Sequence, residues 1–400
     1  MFIVAKRSVR RPSKTAPART PRAKSSNASL SEAGVSVLKR RQILIGAAGA
    51  LAVTGGGVWS WSAASGSMSD YERYSDQLRA LPAEGAGSAD LVRSATLAAN
   101  SHNTQPWKFH AAEDGDVRLL PDFGRRLSVV DPDDHHLFVS LGCAAENFSI
   151  AARALGWSGE TSPDPQDGVR VQLSKAVAAP EPLFDAIFRR QSTRALYDGR
   201  AAPPQELAAL AEAGARPSVR LTLLTDRAQI GRLRDLAVAG NDVQLSDPAF
   251  LAELKSWLRF NPRSAMATGD GLFSAASGNP VMPSWIGRRL FDLVFTAQSE
   301  NDKLARQIDS SAGVAVFVGD TADSKNWIEV GRACQRFLLT ATHLGLKCAF
   351  INQPVEVARL RPELAALIGE AGKRPDLVVR FGYGPTMPYA PRRPVGAVRV

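Results

Sequence analysis

The chain has 400 residues and a formal net charge of +10, and that charge is concentrated at one end. Residues 1–41 hold eleven of the 49 Lys and Arg and one of the 39 Asp and Glu, so the remainder carries 38 of each. A formally neutral globular part has no field of the kind that holds a phosphate backbone, which excludes a nucleic-acid partner.

The basic Ser/Pro/Ala-rich segment before Lys39 has the composition of a disordered leader. Arg40-Arg41-Gln42 follows, and positions 42–69 contain no charged residue. Paired arginines, a short Gly-interrupted apolar run from Ile43 to Val53 and then Ala63-Ala64 resemble a twin-arginine (Tat) export signal. The run is too short and too rich in glycine to argue for a strong permanent membrane span. Cleavage is expected in the Ser60–Ser69 zone, with an uncut N-terminal anchor as the alternative. Residues 1–69 are therefore read as leader, the Tat translocon as a partner, and the periplasm or envelope as the destination.

The rest of the chain alternates helical and extended patterns. Helices are expected near Asp70–Leu81 and Ala89–Ala99. Strands follow near Pro106–Ala112 and Val117–Pro121, joined by a turn at Glu113-Asp114-Gly115-Asp116. A long helix is expected over Asp133–Leu155 and a strand over Val169–Leu173. The second part opens with helices near Pro182–Arg190 and Pro204–Ala213 and a strand near Val219–Thr225. Helices near Ala228–Ala239 and Pro248–Phe260 come next. Residues 261–289 read as a long Gly/Ser/Met-rich connection, either a lid or a surface insertion. Strand Val314–Gly319, helix Lys325–Leu344 and strands Lys347–Ile351 and Leu377–Gly382 complete the chain. Strands interspersed with helices, with no Gly-x-Gly-x-x-Gly after a strand, indicate an α+β fold and argue against a dinucleotide-binding sheet.

Two of these helices repeat each other. Leu141-Gly142-Cys143-Ala144-Ala145-Glu146-Asn147-Phe148 aligns with Val330-Gly331-Arg332-Ala333-Cys334-Gln335-Arg336-Phe337 at an offset of 189. The same offset brings Ala152 onto Ala341 and Gly156 onto Gly345. Small residues at near-helical spacing let two helices approach closely, so the two copies are expected to pack together at a pseudo-two-fold. The halves are bounded as 70–179 and 180–400. The three cysteines, Cys143, Cys334 and Cys348, have neither disulfide-framework nor zinc spacing and read as buried thiols.

The most informative segment is Asn100-Ser101-His102-Asn103-Thr104-Gln105-Pro106-Trp107, a cluster of short polar side chains between a helix and a strand. Such a loop presents donors and acceptors to the edge of a planar heterocycle with little ordering cost. Arg190-Gln191-Ser192-Thr193-Arg194 places two always-charged, bidentate guanidiniums around a hydroxyl, which suits a phosphate. A second basic pair, Arg392-Arg393, follows Arg380-Phe381-Gly382-Tyr383-Gly384 near the C-terminus. Asp131-Pro132-Asp133-Asp134-His135-His136 invites a metal reading. Adjacent helical histidines are expected to point about 100° apart, however, and helix-start carboxylates are explained by the dipole, so no metal is assigned.

The stretch Asn100–Trp107 resembles the Ser-x-x-Asn-x-Gln-Pro-Trp loop of FMN-dependent nitroreductases, with Asn100 at the first position, and residues 190–194 resemble their Arg-x-Ser-x-Arg element. The closest likeness is to the Acg-like branch, in which two nitroreductase-type halves lie in one chain. The likeness extends over roughly Ala89–Pro394. It implies a nitroreductase-like fold, a pseudo-dimer of two α/β halves around a central helix pair. It implies that Ser101, His102, Asn103 and Gln105 face the flavin, that Arg190 and Ser192 hold its phosphate or ribityl chain, and that Arg194 approaches the pyrimidine edge. Arg392 and Arg393 are implied to close over the phosphate, and the backbone at Asn352-Gln353 to pass near the ring. No side chain is implied to be catalytic, because the cofactor carries the chemistry. Half one lacks an Arg-x-Ser-x-Arg before its loop, and half two has Ala215-Arg216-Pro217-Ser218 where a second loop falls. One FMN per chain is therefore expected, in a monomer acting as a pseudo-dimer.

The expected activity is two-electron transfer through flavin N5 to a nitro, quinone or similar small-molecule acceptor, with NAD(P)H as a possible donor. The competing readings are a non-catalytic protein that sequesters an occluded flavin, and a structural envelope protein with no flavin at all.

Overall fold

The computed structural model describes Trp61 and residues 63–83, 87–111, 116–179 and 181–400. Arg40-Arg41 and the apolar run Ile43–Val53 of the expected leader lie outside the described residues, as do Glu113, Asp114 and Gly115 of the expected turn. The fold is α+β, with two four-stranded antiparallel sheets on either side of a central helix pair.

The first sheet belongs to residues 107–172. Helix α1 (Met68–Arg79) starts at Ser67, whose hydroxyl accepts from the Ser69 and Asp70 amides. Helix α2 (Ser88–Thr96) buries Leu91, Val92 and Ala95. Strands β1 (Trp107–Ala111) and β2 (Val117–Pro121) follow, then helix α3 (His135–Ala154), β3 (Glu160–Asp164) and β4 (Gly168–Gln172). The sheet order is β1-β2-β4-β3. Strand β3 is not legible in the sequence, because Ser162-Pro163 reads as a loop. It is an edge strand, where a proline costs no needed ladder bond.

The second sheet draws on residues 219–382. Helices α4 (Phe184–Arg189) and α5 (Pro204–Ala213) lead to β5 (Val219–Leu224), α6 (Arg227–Leu245) and α7 (Pro248–Trp257). The stretch read as one long connection has structure of its own. A two-residue parallel pair, β6 (Leu258–Arg259) and β7 (Leu272–Phe273), brackets helix α8 (Pro262–Thr268), and helix α9 (Ser284–Val294) follows. Then come α10 (Ala297–Asp309), β8 (Gly313–Gly319), α11 (Ser324–His343), β9 (Lys347–Phe350), α12 (Gln353–Glu356), α13 (Arg361–Leu367) and β10 (Pro375–Gly382). The order is β5-β8-β10-β9. All seven residues of β8 are buried. Ala315 and Phe317 face the core shared with α3 and α11, while Val314, Val316 and Val318 face a second core with α6 and α10. A strand covered on both faces explains the unbroken apolar run of its sequence.

Helices α3 and α11 cross at their matched glycines. A Cβ on Gly142 would lie 2.0 Å from the Ile328 carbonyl oxygen, and a Cβ on Gly331 would lie 2.0 Å from that of Val139. Both pairs are related by the repeat offset, so the contact is reciprocal, as a local two-fold requires. Gly156 and Gly345, the matched helix ends, both adopt positive φ, +80° and +82°. Glu146 is buried in this interface against Arg332, Arg336 and Arg216. Burial alone would raise its pKa, but Arg336, Arg332 and Arg216 together hold it below the ordinary carboxylate value. The three cysteines are buried and unpaired.

Two crossings then tie the two sheets together. Residues Val398–Val400 extend the edge of β1, where the Phe109 amide donates to the Val398 carbonyl at 2.8 Å and the Val400 amide donates to that of Phe109 at 3.1 Å. Ser192 bridges Cys348 at the free edge of β9. These two crossings bring the Asn100–Gln105 loop, the 190–194 segment and the C-terminal tail to one place.

Candidate functional site

The loop after α2 is built from strained backbone. His102, Asn103 and Gln105 have φ of 45°, 55° and 54°, left-handed values that cost a non-glycine residue about 1–2 kcal/mol each. Side-chain bonds hold them there. The Asn103 amide donates to the Gly271 and Pro391 carbonyls, both at 3.0 Å, and its oxygen accepts from the Arg392 guanidinium. The Gln105 amide donates to the Gly269 carbonyl at 2.8 Å and its oxygen accepts from the Arg393 amide at 2.9 Å. Arg125 donates to the Thr104 carbonyl and pairs with Asp270, which pins the loop from below. The three segments 100–105, 269–271 and 390–393 thus lock each other. On α1, Tyr71 and Tyr74 donate to the Tyr389 and Arg392 carbonyls at 2.7 and 2.6 Å and clamp the tail.

Two adjoining cavities open beside this lock. The smaller, about 50 Å³, is lined by Arg79, Arg190 and Arg392 together with Ser192 and Asn103. Arg190 and Arg392 are each 3% exposed. Arg190 donates one bond to the Leu97 carbonyl at 3.0 Å, and Arg392 donates to that of Ala98 at 3.1 Å. The Nε atoms of both are buried with no partner. Burial first, and then mutual repulsion among the guanidiniums, lowers the pKa of Arg392 and brings that of Arg79 to about 10. None of the three has a carboxylate within ion-pair distance among the described residues. Buried cations with no carboxylate beside them, as Arg190 and Arg392 are, call for an anionic ligand, and half-buried Arg79 adds to their charge. Arg79 has no signal in the sequence, since a basic residue in the last turn of a helix is ordinary dipole complement.

The larger cavity, about 410 Å³, falls within the range of small-molecule sites. Phe250, Phe260, Phe291, Phe295 and Phe350 wall it, and Ser101, His102, Asn352 and Gln353 add polar groups. The His102 Nδ1 and the Gln353 Oε1 are buried without partners. Arg194 lines both cavities and joins them. Of the residues singled out in the sequence, Gln105 and Arg393 line neither cavity. The basic pair at 392–393 is split. Arg392 enters the small recess, while Arg393 turns to the Gln105 carbonyl at 3.3 Å and lies 3.9 Å from Asp122. Arg216 pairs with Glu329 at 2.6 Å and also lines neither cavity. The segment 260–291 supplies one wall of the larger cavity through Phe260, Leu272, Met282 and Phe291.

The expectation that His135 and His136 point about 100° apart is overturned. Their ring centroids lie 4.5 Å apart at an interplanar angle of 31°. They sit in the first turn of α3, where no preceding turn restricts the rotamers. Both are drawn toward Asp376: the His135 Nε2 is 2.9 Å from its carboxylate and the His136 Nε2 is 3.2 Å from its carbonyl oxygen. Ligand atoms of Asp131, His135 and His136 lie within 4.8 Å of one another. Both Asp131 oxygens accept helix amides, from His136 and Leu137 at 3.0 Å each, and burial, the His136 charge and then Arg374 depress the His135 pKa. Those bonds account for Asp131 as a helix cap.

His102 stays neutral through the physiological range, because burial and then the Arg194 and His136 charges bring its pKa down to about 4. An unfolded histidine takes its proton near pH 6.5, so stability carried by neutral His102 is present above that pH and is lost as pH falls toward 4. We expect about 2 kcal/mol to be lost between pH 7.5 and 5 through this residue. Denaturant unfolding at the two pH values should show the loss shrinking by that amount in His102→Asn. An equal loss in wild type and variant would contradict the placement.

No protein-family model matches the chain. It is 28% identical over 325 residues to a protein of Mycobacterium tuberculosis (strain CDC 1551 / Oshkosh) described as "Putative NAD(P)H nitroreductase MT3217", covering 78% of this chain and 91% of that one. It is 23% identical over 324 residues to "Uncharacterized protein MT3212" of the same strain, covering 77% and 91%. Among solved structures, the FMN-dependent nitroreductase NfnB from Mycobacterium smegmatis in complex with NADPH is 15% identical with a TM-score of 0.34, covering 55% of this chain and 92% of that one.

Proposed function

We propose that this chain is an FMN-dependent oxidoreductase of nitroreductase type that holds one FMN across its two halves and passes electron pairs from NAD(P)H to a small aromatic acceptor. The observation that carries this reading is the convergence of Arg79, Arg190 and Arg392 on a recess beside an aromatic-walled cavity. The relative described as an NAD(P)H nitroreductase supports it. The residues present fit the cofactor. The unpartnered Nε atoms of Arg190 and Arg392 suit a phosphate, and the unpartnered His102 Nδ1 and Gln353 Oε1 suit the polar edge of a ring.

The chemistry that a bound FMN supplies is two-electron transfer through its N5. The protein's own work is placement. Arg79, Arg190 and Arg392, with Ser192 beside them, would hold the dianionic end. Arg194, which lines both cavities, would set a fixed positive charge beside a bound flavin and so favour its electron-rich state. Neutral His102 offers a ring nitrogen without adding charge. The phenylalanine wall excludes water from the acceptor side.

A flavin store rather than an enzyme is the second reading. It is favoured by the bonds that hold the acceptor-side wall in place, from Asn261 to Ser284 at 3.0 Å and from Lys303 to Asn279 at 3.2 Å. Anaerobic mixing of the FMN-loaded chain with NADH and NADPH separates the two: bleaching of the flavin band supports the enzyme, and an unreacted flavin supports the store.

Export by the Tat route is the remaining part of the proposal, supported by Arg40-Arg41 ahead of the uncharged run at 42–69. Arg40→Lys with Arg41→Lys keeps the charge but loses the paired guanidinium geometry. Fractionation should then find the protein retained in the cytoplasm; unchanged recovery from the envelope would remove this part.

A further inference from the structure

Two histidine nitrogens at the start of α3 are buried without a hydrogen-bond partner among the described residues. Asp131, His135 and His136 are 4%, 1% and 4% exposed. The His136 Nε2 lies 3.2 Å from the Asp376 carbonyl oxygen. A carbonyl can only accept, so Nε2 carries the proton, and the Nδ1 of the neutral ring is a bare lone pair that no donor meets. The His135 Nε2 lies 2.9 Å from the Asp376 carboxylate yet makes no hydrogen bond with it. A nitrogen and a carboxylate oxygen that stand so close without sharing a proton are arranged as neighbouring donors around one cation. Buried polar atoms left unsatisfied in this way call for a ligand.

The groups around these nitrogens suit a metal ion. Adjacent helical histidines that diverge by about 100° cannot share an ion. Rings tilted by 31° with centroids 4.5 Å apart can. Donor atoms of Asp131, His135 and His136 lie within 4.8 Å of one another. Small side-chain rotations bring that spacing to the edge, about 3.3 Å, of a tetrahedron with bonds of about 2.0–2.1 Å. Both Asp131 oxygens accept helix amides, and each keeps a second lone pair. The Glu356 carboxylate stands 3.9 Å from the His136 Nδ1. Around the two rings, the carboxylates of Asp131, Asp133, Asp376 and Glu356 outnumber the guanidiniums of Arg361 and Arg374 by two formal charges. Two imidazoles disfavour Mg²⁺ and Ca²⁺ and suit Zn²⁺ or another first-row transition ion. His136 and Glu356 line the large cavity, which gives such an ion its way in.

We propose that Asp131, His135 and His136, with Asp376 beside them, bind one divalent transition-metal ion in the wall of the large cavity. The site shares no residue with the arginine recess, so it stands or falls apart from the flavin reading. Zn²⁺ titration of the full chain, freed of any affinity tag, in competition with a chromophoric chelator should count one ion per chain with a Kd of about 1 μM or below. His136→Gln should weaken binding about a hundredfold. Asp131→Asn, which keeps a side-chain oxygen to cap the helix, should weaken it as well. His110→Gln with His343→Gln, both exposed, should leave it unchanged. X-ray absorption at the zinc edge of the loaded wild type needs no variant to fold. It should show imidazole and oxygen donors at about 2.0–2.1 Å and no sulfur at about 2.3 Å. No Zn²⁺ bound by the folded chain, sulfur in the coordination shell, full affinity in His136→Gln, or affinity lost in the exposed-histidine control would each overturn the proposal.

Discussion

Replacing Gly331 with alanine is expected to destabilise the protein by about 2–3 kcal/mol, the reverse of its effect in an isolated helix. Alanine is the better helix former by about 1 kcal/mol, so propensity alone predicts a gain. Here the added Cβ would sit 2.0 Å from the Val139 carbonyl oxygen, a backbone atom that cannot rotate away. The α3–α11 pair must separate, and the packing of Cys143, Cys334 and Phe337 around it loosens. Gly142→Ala meets the mirrored clash with Ile328 and should cost a similar amount. Once one clash has parted the helices the second costs less, so the double variant should be sub-additive. Equilibrium unfolding of the three variants checks this, and stabilisation by either single change would show that the helices do not cross at these glycines.

Arg190→Met should weaken FMN binding by roughly 1.5–3 kcal/mol, about ten- to a hundredfold, while leaving the cofactor-free protein as stable as wild type or more so. The two halves of this expectation have one cause. A guanidinium that is 3% exposed, with an unpartnered Nε and no carboxylate near it, is a cost in the free protein and an asset only when an anion arrives. Met fills the space without the charge. Arg79→Met should also weaken FMN binding, but it gives up bonds to the Phe188 and Arg190 carbonyls at 3.1 and 3.3 Å, so the free protein should lose stability as well. Asn103→Ala should act differently, because its side chain is already committed to the Gly271 and Pro391 carbonyls and to Arg392. It loosens the tail and displaces Arg392, so both stability and affinity should fall. Arg216→Ala should spare FMN affinity, since Arg216 serves Glu329 and Glu146. Fluorescence quenching of FMN and thermal unfolding with and without cofactor read all four.

The parts of the fold that were legible share one property: local pattern and tertiary role agree. The repeat at offset 189 exposed the helix crossing, because close approach leaves small residues behind as its signature. Strands β8 and β10 are buried throughout, and the bounds of all four strands of the second sheet followed from the sequence within a few residues. The misses are places where context overrides pattern. Strand β3 contains Pro163 and survives by lying at an edge. Helices α8 and α9 lie in a Gly/Ser/Pro-rich stretch and are set by packing on α1 and on the cavity.

At the site, the polar loop and the Arg-x-Ser-x-Arg segment stood out through their resemblance to the nitroreductase patterns, since taken alone they read as turn chemistry and a solvated basic cluster. The division of labour within them did not. Positive φ at Asn103 and Gln105 turns their side chains into the tail, so these amides lock the loop, and whether the loop faces a ligand falls to Ser101 and His102. Arg79 is separated from Arg190 by more than a hundred positions and resembles any helix-ending arginine. Only the folding of α1 against the tail brings it to the recess.

The most direct test of the account is a titration of the purified full chain with FMN, with bound flavin counted per chain and mass taken by light scattering. One FMN per monomer, with affinity lost in Arg190→Met and Arg79→Met but kept in Arg216→Ala, is the result expected. Two flavins per chain, or no flavin bound while the protein is folded, would contradict it.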